Sequence, residues 1–231
     1  MQVASVRNLL ESFEKSDDEL QMYRGQTRDW PLLPSIGRYL ATVSGYDDWR
    51  GFHDDIIYEF LRLGHPYLAG LPTKGAESWV LGQHHGLPTR LLDTTTNPLK
   101  ALFFAVNHPA DDAHDGVVWI FSYTRWREDL GEEHKSFWDK ELVPFLPAQL
   151  NPRLTAQEGS FISYPLPKNR KPLTPINKLN QDDVSLSKLI IPAAAKAKLR
   201  RELQVLGVQY RLLFPDLDGV ARSIKLTKLE S

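Results

Sequence analysis

The chain has no cysteine and only two methionines in 231 residues. Disulfides, thiolate nucleophiles and cysteine-held metals are therefore excluded, and the composition suits a reducing cytosol. An excess of charge of one sign is missing as well: 28 Lys and Arg face 29 Asp and Glu. No global field draws the protein to nucleic acid or to an anionic membrane, although a local basic groove stays open. No apolar run approaches the roughly 20 residues that cross a bilayer. Met1 to Ser5 carry neither a charged leader nor an apolar stretch, so the expectation is a cytoplasmic protein without a membrane partner. Glycine-rich phosphate loops of the P-loop or dinucleotide kind are missing. Zinc spacing is missing too, because the adjacent His84 and His85 splay apart on any regular element and no third ligand stands at useful spacing, so no metal is expected. No serine triad assembles from local motifs. There is no internal repeat or low-complexity tract, and the length suits one well-buried core.

What is there centres on residues 83–98. Gly86 and Pro88 set a tight turn, one by its free φ and the other by its fixed φ. Arg90, Leu91, Leu92 and Asp93 read as a short buried strand. Thr94, Thr95 and Thr96 leave it, Asn97 is placed to cap a helix, and Pro98 suits that helix's first position. The helix itself is almost wholly apolar over residues 99–106, which points to burial. A strand end bearing Arg, Asp and three hydroxyls at a helix N-terminus is a place for polar or anionic ligands. The competing reading is a capped corner in which Arg90 and Asp93 pair for structural reasons.

Elsewhere the periodicities are plainer. Ser5 caps an expected helix over about residues 5–16, with Val6, Leu9, Leu10 and Phe13 on its apolar face. Asp17, Asp18 and Glu19 separate it from an alternating strand that runs from Leu20 to Gly25. Arg24 then shares a face with Leu20 and Met22, which is costly unless a carboxylate or an anion awaits it. One reading is a salt bridge to Asp93 or another acid; the other is a guanidinium held for a phosphate or carboxylate. Trp49, Phe52, Ile56, Phe60 and Leu63 predict a long amphipathic helix over residues 47–63, on or beyond which His53 and His65 read as surface or packing residues. Another helix is expected over residues 76–83 and strands over 117–121, 156–164 and 186–191. Trp126, Phe137 and Trp138 read as anchors of a charged excursion, and residues 168–171 as a solvated basic turn. Pro192 opens a helix whose wet face is expected to carry Lys196, Lys198, Arg200 and Arg201, and Gly207 ends it. A last helix follows Pro215. Without βαβ periodicity the expected class is α+β, with a mostly antiparallel, split sheet surrounded by helices.

Tyr23-Arg24-Gly25, followed far downstream by residues 83–93, resembles the FRG domain of bacteria and phages, named for its Phe/Tyr-Arg-Gly motif. Residues 156–161 and 213–219 fit the same pattern. The resemblance implies a single domain over residues 1–231, with a core from about residue 20.

A weaker similarity, in order and residue type, is to the arginine class of ADP-ribosyltransferases. Tyr23-Arg24 stands where that class has an aromatic-Arg pair, Thr94-Thr95-Thr96 where it has a hydroxyl run, and Gln157-Glu158 where it has an acidic segment. This implies an ADP-ribosyltransferase-like fold and NAD as substrate, with transfer of ADP-ribose or hydrolysis of NAD. By that similarity Arg24 holds a phosphate or ribose, Thr94 or Thr96 fixes the nicotinamide side, and Gln157 or Glu158 bonds the ribose hydroxyls. His84 and Asp93 orient the site or act as base, and Tyr23, Gly25, Gln83, Arg90 and Thr95 complete the binding set. Gln157 directly precedes Glu158, so on a strand only one of the two reaches the pocket. The acceptor is a macromolecule, a small molecule or water. The company such domains keep implies a toxin or phage-defence effector. Two other classes stay open: a nucleic-acid-directed nuclease using His84, Arg90 and Asp93, and a non-catalytic module that binds a nucleotide or polyanion through Arg24 and Arg90.

Overall fold

Alternating residues after the acidic separator form β1 (Leu20–Gln26), and the rest of a computed structural model is assembled around that strand. The structure describes residues 1–13, 20–39, 44–71, 73–123, 141–149, 151–179 and 184–228. Asp17 to Glu19 and the Trp126, Phe137 and Trp138 excursion lie outside the described residues.

The other strands are β2 (Leu91–Thr95), β3 (Gly116–Tyr123), β4 (Val143–Phe145), β5 (Gly159–Ser163) and β6 (Val184–Ile191). They form one six-stranded sheet in the order β4-β5-β2-β1-β3-β6, and every neighbouring pair is antiparallel. β1 pairs with β3 along its whole length, from Leu20↔Tyr123 to Gln26↔Val117. Its other edge meets β2 at a single register pair, Tyr23↔Thr95. The sheet therefore parts at that seam, as a split α+β sheet should.

Helices cover both faces. α1 (Val6–Glu11) is capped by Ser5, whose hydroxyl accepts from the Asn8 amide. α2 (Trp49–Gly64) is capped by Asp48, α3 (Gly75–His84) leads into the Gly86 turn, and α4 (Pro98–Val106) is capped by Asn97 with Pro98 at its first position. α5 (Pro152–Ala156), α6 (Lys196–Val205), α7 (Tyr210–Leu213) and α8 (Leu217–Lys228) complete the set. α1, α4 and α6 pack on one face around Tyr23, Leu102 and Leu199. The opposite face buries Met22, Trp49, Leu92 and Phe121. A third cluster, Val80, Leu91, Phe145 and Phe161, joins α3 to β4 and β5.

The closest approach in this core is between β1 and α4. A Cβ on Gly25 would lie 1.8 Å from the Ala101 carbonyl oxygen, so only glycine lets the helix rest directly on the strand.

Several expectations are corrected. Leu10 is half exposed rather than part of the α1 apolar face, and Leu63 is largely exposed, because α2 turns Trp49, Phe52, His53 and Ile57 inward. His53 is a packing residue, fully buried edge-on to Trp79. The strand expected over 156–164 begins only at Gly159: Asn151 caps α5, and Gln157 and Glu158 form the bend that follows. Glu158 takes a positive φ of 46°, which breaks the alternation expected there. Lys196 is fully buried instead of facing water, donating to the carbonyls of Thr27 at 2.7 Å and Asp111 at 2.8 Å. The basic turn is exposed, as read, and its ends are also tied down: the Trp49 indole donates to the Lys171 carbonyl and Arg170 reaches the carbonyls of Ser44 and Asp47.

Candidate functional site

The seam between β1 and β2 opens into a cleft of about 320 Å³. Past the Tyr23↔Thr95 pair the strands diverge, and the Arg24 side chain fills the gap. Its Nη1 donates to the main-chain carbonyl of Asp93 at 2.6 Å, taking the place of a missing ladder bond. The same Nη1 lies 3.7 Å from Asp93 Oδ2, while the Arg24 side chain keeps only 17% of its exposure. Arg24 Nε is buried with no hydrogen-bond partner among the described residues. Burial, reinforced by the like charge of Arg38, pulls the Arg24 pKa down, and Asp93 opposes it.

Asp93 is held from the other side. Gln83, in the last turn of α3, donates through Nε2 to Asp93 Oδ1 at 2.7 Å. The Gln83 Oε1 in turn accepts from the hydroxyl of fully buried Thr89. A buried threonine thus fixes an amide, the amide fixes a carboxylate, and the carboxylate faces the guanidinium. Asp93 itself remains two-thirds exposed toward the opening.

The remaining walls come from later in the chain. Thr95 Oγ1 donates to the Gln157 carbonyl at 2.7 Å, drawing the end of α5 against β2. The Gln157 side chain lines the cleft and donates to the Leu213 carbonyl at 3.0 Å. One helical turn earlier, Arg153 also lines the cleft, its guanidinium 4.5 Å above the Phe214 ring. An adjoining recess of about 90 Å³ shares Gln83, Asp93, Arg153 and Gln157 with the cleft and adds His84. His84 is pushed below the usual histidine range by burial and by the nearby His85 and Arg153, with Asp216 opposing.

Residues 19–114 match the family model of the FRG domain, which spans the Tyr-Arg-Gly strand and the whole turn, strand and helix corner. This chain contains an FRG domain. No curated protein and no solved structure matches it.

Residues of this FRG match, joined by Gln157 from beyond it, bring together most of the site read from the sequence. Tyr23, Arg24, Gly25, Gln83, Asp93, Thr94, Thr95 and Gln157 all line one cleft, and His84 stands in its recess. The Thr94 and Thr95 hydroxyls are spent within the fold. Thr94 pairs with Ser160 at 2.8 Å, and Thr95 also accepts from the Asn97 amide. Thr96 is exposed, its amide bonded to the Glu158 carbonyl. The Tyr23 hydroxyl turns to Gln21 Oε1, and burial raises its pKa.

Besides Thr96, which lines neither space, two expected members lie elsewhere. Arg90 is buried below the site, 5.1 Å over the Trp79 ring, so it is Gln83 and Arg24 that hold Asp93. Glu158 turns toward α4, where Lys100 Nζ donates to it at 2.7 Å and Asn97 at 3.2 Å, and these bonds hold its carboxyl below the usual range. Among the described residues no group of three His, Asp or Glu converges for a metal, and no helix is long and apolar enough to cross a membrane. Sequence reasoning missed Thr89 and Arg153. The latter follows from Gln157 by the four-residue helical spacing once α5 is read as a helix, a turn whose buried residue is Leu154.

Proposed function

We propose that the cleft binds a nucleotide through its phosphate and acts on NAD, as an ADP-ribosyltransferase-like enzyme or an NAD glycohydrolase. The observation that carries this is Arg24: a guanidinium sunk into a polar cleft with its Nε unpartnered. A buried cation is costly with one neighbour 3.7 Å away, and a phosphate offers the planar, charge-assisted contacts that complete it.

Asp93 supplies the chemistry. Its carboxylate is oriented by Gln83 and open to the cleft. Breaking the bond between ribose and nicotinamide sends the bonding pair to the ring nitrogen, and positive charge grows on the sugar carbon. A fixed carboxylate stabilises that charge. The acceptor, water or a nucleophile on another molecule, forms the new bond at that carbon and gives its proton to Asp93. Gln157 stands closer to this work than Glu158, whose carboxylate is engaged by Lys100. On this reading the protein depletes or transfers from NAD in the cell, which fits a toxin or phage-defence effector.

The test is nicotinamide release from NAD by the full chain, run beside a metal-free nucleic-acid cleavage assay. Release that Asp93→Asn abolishes supports the proposal. Strand scission without release favours a nuclease. Nucleotide binding lost in Arg24→Ala, with no turnover of any kind, favours a binding module. Slowed growth on overexpression, relieved by Arg24→Ala, is expected of an effector.

A further inference from the structure

We infer that Arg153, resting on Phe214, is a second anion-holding residue of the cleft, so that the ligand carries two linked phosphates rather than one. This rests on the nucleotide reading above and deepens it by naming the residue that meets the second phosphate of such a ligand.

Arg24 and Arg153 line the same opening, yet their charges are differently placed. Arg24 faces Asp93, the acid that lines both the cleft and its recess. Arg153 has no ion pair and no side-chain hydrogen bond among the described residues; its recorded side-chain contact is the Phe214 ring. The cleft therefore holds one cation only partly met by Asp93, its Nε still open, and a second with no acid beside it. A monophosphate seated on Arg24 leaves the second guanidinium without a counter-ion. A second phosphate on the same ligand supplies it.

Position favours this as much as charge. Arg153 stands on the border between the 320 Å³ cleft and the 90 Å³ recess, which share four walls. A ligand with a group in each room meets these four shared residues, and Arg153 is the cation among them. The guanidinium is also prearranged: Phe214 is itself stacked on Tyr210 at 4.4 Å and set edge-on to Phe104 at 6.2 Å. Holding the side chain on a fixed ring lowers the ordering cost of binding. His84 shares this recess with Arg153.

The experiment is calorimetric titration of the full chain with ADP-ribose and with AMP, for wild type, Arg153→Ala and Phe214→Leu. Wild type is expected to hold ADP-ribose more tightly than AMP. Arg153→Ala should lose about tenfold or more for ADP-ribose, the value of one charge-assisted pair, and less than about threefold for AMP. Phe214→Leu, which keeps the charge and removes its platform, should lose selectivity to a smaller degree. Because Arg153 is exposed, its alanine variant should fold, and thermal unfolding checks that. An unchanged ratio of the two affinities in Arg153→Ala overturns this inference while leaving the nucleotide reading intact. Failure of wild type to bind either probe overturns both.

Discussion

Replacing Gly25 by alanine tests why the Tyr-Arg-Gly strand ends in glycine. The new Cβ would stand 1.8 Å from the Ala101 carbonyl oxygen and 2.7 Å from the Ala105 amide nitrogen. Both obstacles are helix backbone, so no rotamer change relieves them. Strand and helix must separate by more than about an ångström to restore ordinary contact. That movement loosens the core around Tyr23, Leu102 and Val106, each buried against this junction. Overpacking that side chains can absorb costs about 1–3 kcal/mol, so a backbone clash should reach about 3 kcal/mol or more. For a chain of this size that lowers Tm by about 6–12 °C. Circular dichroism melts and urea titrations measure it, with Gly86→Ala as the comparison. Gly86 has φ +86° but nothing within 4 Å of its built Cβ, so its penalty is conformational only, about 1 kcal/mol. If Gly25→Ala melts with the wild type, the strand and helix do not touch as described, and the explanation of the motif fails.

Four further outcomes are expected. Asp93→Asn should abolish nicotinamide release while Glu158→Gln leaves it near wild type and costs about 1 kcal/mol of stability, because the Glu158 side chain stays half exposed in its pair with Lys100; the reverse ranking in a turnover assay would reassign the carboxylate. Thr89→Val keeps the shape of a buried side chain but leaves Gln83 Oε1 and the Leu91 amide short of a partner, so chemical denaturation should show a loss of about 1–3 kcal/mol. The folded His84 pKa lies below its unfolded value, so its contribution to stability is present above the ordinary histidine range and is lost as pH falls; Arg153→Ala should raise the His84 pKa in an NMR titration, and no movement would place the two groups apart. Lys196→Met strands the Thr27 and Asp111 carbonyls and should cost about 2 kcal/mol or more in urea unfolding, whereas a variant as stable as wild type would mean that those carbonyls find other donors.

Local signals carried much of this. The Asn97 cap, Pro98 at the first helical position and the apolar run behind it specify their corner without help from the rest of the fold. Tyr23 and Arg24 were assigned to opposite faces by strand alternation, and both faces are as read. What failed had non-local causes. Lys196 reads as a solvent-facing lysine by type, and only the carbonyls of Thr27 and Asp111, far away in the chain, make it a buried donor. Gln157 and Glu158 read as strand because Gly159 to Ser163 continue the pattern, while the Asn151 cap and Pro152 quietly mark a five-residue helix before them. Arg90 and Asp93 look like natural partners three residues apart, but β2 sends them to different surroundings, one under Trp79 and the other into the seam. The cleft itself was legible as a convergence of Arg24, Asp93, Thr94 and Gln157; Arg153 was hidden by the misread helix.

The floor of the cleft and its far wall have different structural obligations. Arg24 and Asp93 are locked into the sheet, and changing them disturbs the seam that joins its halves. Phe214 and Leu213 belong to a short tail segment that reaches the site through one carbonyl and one ring. Leu213 and Phe214 are held by the core, whereas Arg153 is exposed and bonded to neither half of the sheet. Exchange at that one position can therefore change the choice of ligand while the central strands stay as they are.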